Sequence, residues 1–323
     1  MKVFLAGATG AIGKRLVPAL RDRGYQVVAL TRSAESAARL RSAGTYPVVA
    51  DIFDRTAIIR SMQETRPDVV VHQLTALAGV TNYKNFDRAF AVTNRLRTEG
   101  TDILLEGARA AGARRFVAQS YGGWIYGRSG DGLKTERDPI DPDPPRKQRQ
   151  SLAAIRHLEN ALLSERTITG IALRYGNLYG PGTNVAPGGE VSALVCARKV
   201  PIIGDGGGVW SFLHVDDAAT AIIAAIEQGA AGVYNTCDDD PAPVSEWLPE
   251  LARSLGAKPP RHVPTWLARF VAGEVGVSLM TQIRGMSNEK AKRELLWQPR
   301  YASWREGFWA RDGVDKLRFQ QTG

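Results

Sequence analysis

The stretch "VFLAGATGAIG" near the start of the chain restricts the possible folds more than any other. Val3–Ala6 is a short apolar run that reads as a strand, and Gly7, Gly10 and Gly13 come directly after it, just as a helical pattern begins. Gly7 permits a tight turn, Gly10 lets a pyrophosphate approach the backbone, and Gly13 lets helix and strand pack closely. The helix N-terminus adds free N–H groups and a favourable dipole. The motif, comprising Gly7, Thr9, Gly10, Ala11, Ile12 and Gly13, is expected to hold the phosphates of a dinucleotide.

The chain beyond Gly13 has the rhythm such a turn requires. Strands are expected at Gln26–Thr31, Pro47–Ala50, Val69–His72, Arg115–Ala118 and Gly170–Arg174. Helices are expected at Gly13–Arg23, Ala34–Ala43, Arg55–Glu64, Phe86–Ala111 and Gln148–Glu165. Alternating strands and helices predict an α/β, Rossmann-like, doubly wound parallel sheet over residues 1–176. Beyond Gly176 the pattern loosens into Gly/Pro-rich turns, short strands near Pro201–Ile203 and Val233–Thr236, and further helices. That part, 177–323, reads as a smaller α+β substrate lobe, partly interleaved with the first. The charged, proline-rich segment 128–148 reads as a long loop.

The totals fit a soluble globular protein. Of 323 residues 44% are hydrophobic, and no apolar run approaches a membrane span. Cys196 and Cys237 form no Cys/His cluster, so neither a zinc site nor any other metal site is expected. The net charge of +9 is spread along the chain without an aromatic-and-basic surface motif, which argues against nucleic acid as the partner. A cytoplasmic protein acting on a small molecule is the expectation.

Cofactor choice is read at the end of the second strand. An acidic residue there usually holds a free ribose 2′-hydroxyl. This chain has "VVALTRS" instead. A guanidinium at Arg32 pairs with a 2′-phosphate and the Ser33 hydroxyl can donate to it, which favours NADP over NAD.

At this point the chain resembles the short-chain dehydrogenase/reductase superfamily, in its extended, epimerase/dehydratase-like branch. The resemblance rests on "GATGAIG", "VVADIFD", "VVVHQLTAL", "VTNRLRT", "RRFVAQSYGGWIYG", "LRYGNLYGPG" and "SFLHVDDAATAI", in that order. It implies that Asp51 and Ile52 hold an adenine, that Leu74, Thr75 and Ala76 line the cofactor, and that Asn94 shapes the site. Tyr175 would flank the nicotinamide and Asn177 would face substrate. The branch also pairs subunits through two helices, which would be 86–111 and 148–165.

One departure changes the chemistry. The family reduces carbonyls with a Tyr-x-x-x-Lys pair on one helix face. Anchoring on Glu159 of "HLENAL" puts Ser151 at the Tyr position and Ile155 at the Lys position. Neither does that work, so the catalytic candidates move to the fifth-strand loop, where Ser120 would orient a substrate oxygen and Tyr121 or Tyr126 would supply a phenol. Lys147, one turn before Ser151, is a further source of charge, while His157 belongs on the outer helix face. Trp210 lies in a glycine-rich loop near the expected pocket and is a candidate substrate contact. The reading is an NADP(H)-dependent oxidoreductase acting on a small carbonyl or related unsaturated substrate with a non-standard proton donor. Its alternatives are a non-redox isomerase, lyase or cyclase that retains the nucleotide, and a non-catalytic NADP-binding sensor.

Overall fold

The computed structural model describes residues 1–77, 79–80, 83–130 and 132–309. Seven strands form one sheet: β1 (Lys2–Ala6), β2 (Gln26–Thr31), β3 (Tyr46–Val49), β4 (Val69–His72), β5 (Arg115–Tyr121), β6 (Thr169–Tyr175) and β7 (Gly232–Thr236). Their order is β7-β6-β5-β4-β1-β2-β3, and every neighbouring pair is parallel. Pro47 is accommodated because β3 is an edge strand, where a missing N–H costs no ladder bond.

Six helices matter for the site: α1 (Ala11–Asp22), α2 (Ala34–Ser42), α3 (Arg55–Thr65), α4 (Thr101–Ala111), α5 (Arg149–Leu163) and α6 (Val215–Gln228). Successive strand residues face opposite sides of the sheet. Val3, Leu5, Val69, Val71, Ile171 and Leu173 pack with α1 and α6. Phe4, Val28, Val70, Phe116 and Ala172 pack with α3, α4 and α5. Each fully buried Val, Leu, Ile or Phe contributes about 1.5–3 kcal/mol, so both layers are needed to hold the sheet. Strand order reverses between β1 and β4, and the cleft that opens there, at the strands' C-terminal ends, is where such sheets bind ligands.

Two features differ from the sequence-based expectation. The strand near Val233, expected in the smaller lobe, is β7 and closes one edge of the main sheet beside β6. The expected helix over Phe86–Ala111 is broken into short helices at Phe86–Ala89 and Ala91–Arg95, a π-turn at Leu96–Gly100, and α4. The π-turn has a visible partner: the Leu96 carbonyl meets Nε2 of His72 at 3.2 Å, tying the turn to the end of β4. The other His72 nitrogen accepts from the Leu74 N–H, and burial holds the ring's pKa down at about 4, so the imidazole is neutral with its proton on Nε2.

The smaller lobe packs Tyr179, Phe212, Trp247 and Trp304 into its own core. A further apolar cluster, including Phe86, Trp124, Ile155, Leu279 and Met286, joins it to the sheet domain. Trp247, Trp297 and Trp304 are therefore core residues, whereas Trp266 and Trp309 are exposed. Among the described residues no helix is long and apolar enough to cross a membrane.

Candidate active site

Backbone sterics build the cofactor end of the cleft. Gly7 has φ +109°, and a Cβ on it would lie 2.8 Å from the Gln73 backbone. A Cβ on Gly13 would lie 2.2 Å from the Gly7 carbonyl oxygen. Gly10 differs. Its φ of −73° suits any residue, and a Cβ there would meet only the Gly7 oxygen, at an ordinary 3.5 Å. Nothing in the local fold requires glycine at position 10, but a ligand approaching the turn would. The first turn of α1 carries no acidic residue and no capping side chain, so its N–H groups remain available to an anion. Thr9 and Gly10 are exposed and Ala11 half-buried, while Ile12 is 6% exposed and anchors the helix in the core. A Cβ on Gly182, at the end of "LRYGNLYGPG", would lie 3.5 Å from the Ala11 Cβ, which puts that loop beside the turn.

The remaining cofactor candidates surround this turn with different duties. Arg32 is exposed after β2. Ser33 caps α2, its hydroxyl accepting the Ser36 N–H at 3.1 Å. Asp51 is exposed and accepts the Phe53 N–H, and the Arg95 guanidinium lies 3.7 Å over the Phe53 ring. Ile52 is buried. Leu74 and Thr75 are half-buried after β4, and the Ala76 N–H donates to Thr93 Oγ1. Tyr175 is wholly buried beneath the turn, its hydroxyl on Gln73 Oε1, and burial pushes its pKa up.

At the other end, the positions expected for the dyad serve structure. The Asp87 carboxylate caps α5 from a neighbouring helix. It accepts the Gln150 N–H, the Ser151 N–H and the Ser151 hydroxyl, the last at 2.7 Å. Asn94 Nδ2 donates back to Ser151 Oγ at 3.0 Å, so that hydroxyl has one donor and one acceptor bond and no exposed surface. Ile155 is 0% exposed among Phe86, Trp124 and Leu152. Lys147 reaches Asn85 on the surface, and His157 pairs with Asp102 on the outer face of α5.

The three catalytic candidates separate. Ser120 is fully buried and donates to Glu159 Oε1 at 2.6 Å. Arg174 holds both oxygens of Glu159, at 2.8 and 2.7 Å, and Nη1 of Arg174 donates to the Tyr126 hydroxyl. Tyr126 in turn donates to Asn235 Oδ1, and burial pushes its pKa up to about 12. Ser120 and Tyr126 thus belong to one buried network that ties β5, α5, β6 and β7 together. Tyr121 is half-buried, and its hydroxyl donates to Asn177 Oδ1 at 2.6 Å. Gly123 keeps that phenol in place, since a Cβ there would lie 2.6 Å from its oxygen. Trp210 donates its indole N–H to the Leu279 carbonyl and packs on Trp247, so its polar group is already used.

Arg97, which no sequence motif marked as a site residue, also points inward. It is 3% exposed, and its Nε and Nη1 are enclosed with no hydrogen-bond partner among the described residues. Burial lowers its pKa to about 10, which leaves it charged at neutral pH. Its position had a signal in the sequence: Thr93, Arg97, Gly100, Thr101, Leu104 and Ala108 form one stripe at helical spacing, and a charge on the core stripe of a helix is unusual.

Comparison with known proteins agrees with this architecture. A 3-diazoavenalumate denitrifying reductase from a Streptomyces species is 46% identical over 308 residues, covering 95% of this chain and 99% of the relative. A UDP-glucose 4-epimerase of Mycolicibacterium smegmatis is 29% identical over 317 residues, covering 94% and 95%. The solved structure of the Thermus thermophilus UDP-glucose 4-epimerase with NAD superposes with a TM-score of 0.71 at 27% identity, covering 96% of this chain and 97% of that one. The profile of the NAD dependent epimerase/dehydratase family matches residues 3–237, and the chain belongs to that family.

Proposed function

We propose that this oxidoreductase is an NADPH-dependent reductase that removes dinitrogen from a diazonium-bearing substrate and leaves hydrogen in its place. The observation that carries the reading is α5, which contains neither Tyr nor Lys and whose Ser151 and Ile155 are committed to capping and packing. Reducing a carbonyl adds a hydride and a proton, and so calls for an acid. When a bound dihydronicotinamide supplies the hydride, a diazonium R–N₂⁺ becomes R–H and N₂, and atoms and charge balance with no external proton. The family relative named as a denitrifying reductase supports the same chemistry.

The open face of Gly10 and the uncapped N-terminus of α1 support pyrophosphate binding, and a guanidinium at the exposed Arg32 supports a 2′-phosphate. Leu74, Thr75 and Ala76 line the route from that turn toward the chemistry. Tyr121 and Asn177 orient the substrate, and the apolar cluster around Trp124 limits water. Anaerobic incubation with NADPH and either a carboxylate-bearing arenediazonium salt or a panel of aryl ketones tests the reading. N₂ release matching NADPH oxidation with the diazonium, and not ketone reduction, is expected. Reduction of ketones with a large loss in Tyr121→Phe would instead make Tyr121 a displaced proton donor, a second reading that its position beside Asn177 allows.

A further inference from the structure

Arg97 sits in the π-turn that packs directly against α5, the helix from which the family's cation is missing. Its charge is felt at both Tyr121 and Glu159. Glu159 favours that charge from a distance but makes no hydrogen bond to it, because Arg174 binds both carboxylate oxygens and Ser120 donates to one of them. Arg97, Arg174 and Glu159 together leave one positive charge in excess, inside a region where Ile155 and His72 are uncharged. An unpaired buried cation is costly, and an apolar residue of similar volume would pack there more stably. Such a charge is retained where an anion arrives from outside. The phosphates of a dinucleotide belong to the glycine turn at the far end of the cleft, which leaves the substrate as the source.

We propose that Arg97 is the receptor for an anionic oxygen of the substrate, a carboxylate or a phenolate, and that it sets the substrate class. This deepens the reductase reading and rests on it for the existence of a substrate cleft, with Tyr121 and Asn177 as the neutral polar groups beside the charge. A diazonium that also bears an oxyanion is then held by its negative end, and the repulsion between Arg97 and a simple cation excludes diazonium salts that lack one.

Equilibrium titration of the NADP-loaded protein with two probe pairs tests this without turnover. The pairs are 4-hydroxycinnamate against its methyl ester at neutral pH, and 4-nitrophenolate against 4-nitroanisole at alkaline pH. In at least one pair the anion is expected to bind roughly tenfold or more tightly than its neutral partner, as one charge-assisted contact gives. Arg97→Gln should abolish that preference and Arg97→Lys should keep part of it. NADPH affinity should stay within about twofold, and the melting temperature of Arg97→Gln should not fall, because a strained buried charge has been removed. No preference in the wild type overturns the proposal. So does a preference that survives in Arg97→Gln, or a loss of NADPH affinity that accompanies the substitution. Neither probe carries a diazonium, so the result stands apart from whether N₂ release is found.

Discussion

At the β1–α1 turn, Gly7 and Gly13 exclude any side chain because backbone atoms lie 2.8 and 2.2 Å from where a Cβ would be. On α5, Ser151 and Ile155 take the positions where the sequence register puts the expected acid and cation, and the helix runs its full course from Arg149 to Leu163 with both side chains buried. One end of the cleft is fixed by main-chain sterics that leave no choice of residue. The other end is fixed by side chains, where Ser151 is bonded to a capping carboxylate and Ile155 is a packing contact. A fold in this family therefore constrains what is bound much more tightly than which reaction takes place.

The contrast can be broken at its most buried point first. Glu159→Gln would leave the buried Arg174 guanidinium without its carboxylate, and the loss should be about 3–5 kcal/mol in denaturant unfolding. A smaller cost would mean that the network does not hold the chemical end together. The two glycines of the turn should then diverge. Gly13→Ala should destabilise by about 3 kcal/mol, since its new methyl collides with backbone. Gly10→Ala should melt like the wild type but bind NADPH at least about tenfold more weakly, because its methyl clashes with nothing in the fold and would occupy the space expected for the pyrophosphate. Equal behaviour of the two would remove the distinction between a folding glycine and a binding glycine.

Arg32→Ala sharpens the cofactor end further. Roughly 10–100-fold weaker NADPH binding is expected, with NADH little changed, and parallel losses would show that Arg32 does not read the 2′-phosphate. The smallest effect belongs to Ser151→Ala. It should cost about 1 kcal/mol of stability through Asp87 and Asn94, with turnover within about threefold of the wild type. A collapse of turnover with unchanged stability would restore Ser151 to the catalytic machinery. Building a Tyr/Lys pair at 151 and 155 is a poor converse test, because Ile155 is 0% exposed in an apolar cluster and an ammonium there would be buried without a partner.

Legibility in the sequence divides along the same line. Glycine spacing, apolar runs and strand–helix alternation are local, and they located the turn and the sheet. The buried network was not legible because its members are joined only by the fold: Tyr126 meets Asn235 109 residues away, and Ser120 meets Glu159 39 residues away. A serine at a strand end and a tyrosine in a loop read as site residues until burial shows them bonded inward. The π-turn was hidden because helical periodicity runs through it almost unbroken, and the same periodicity is the signal that could have marked Arg97 as a charge on a core stripe.

The central claim is that hydrogen reaches the substrate as hydride and that no enzyme acid takes part. Single-turnover reaction of an oxyanion-bearing arenediazonium with NADPH deuterated at C4, in ordinary water and then with unlabelled NADPH in D₂O, measures this directly. With one of the two C4-deuterated isomers the product should carry deuterium at the carbon that bore nitrogen, with N₂ released in equal amount. From D₂O that carbon should carry none, and the solvent isotope effect should be near unity. Deuterium arriving from solvent, or NADPH oxidation without N₂, would contradict the account.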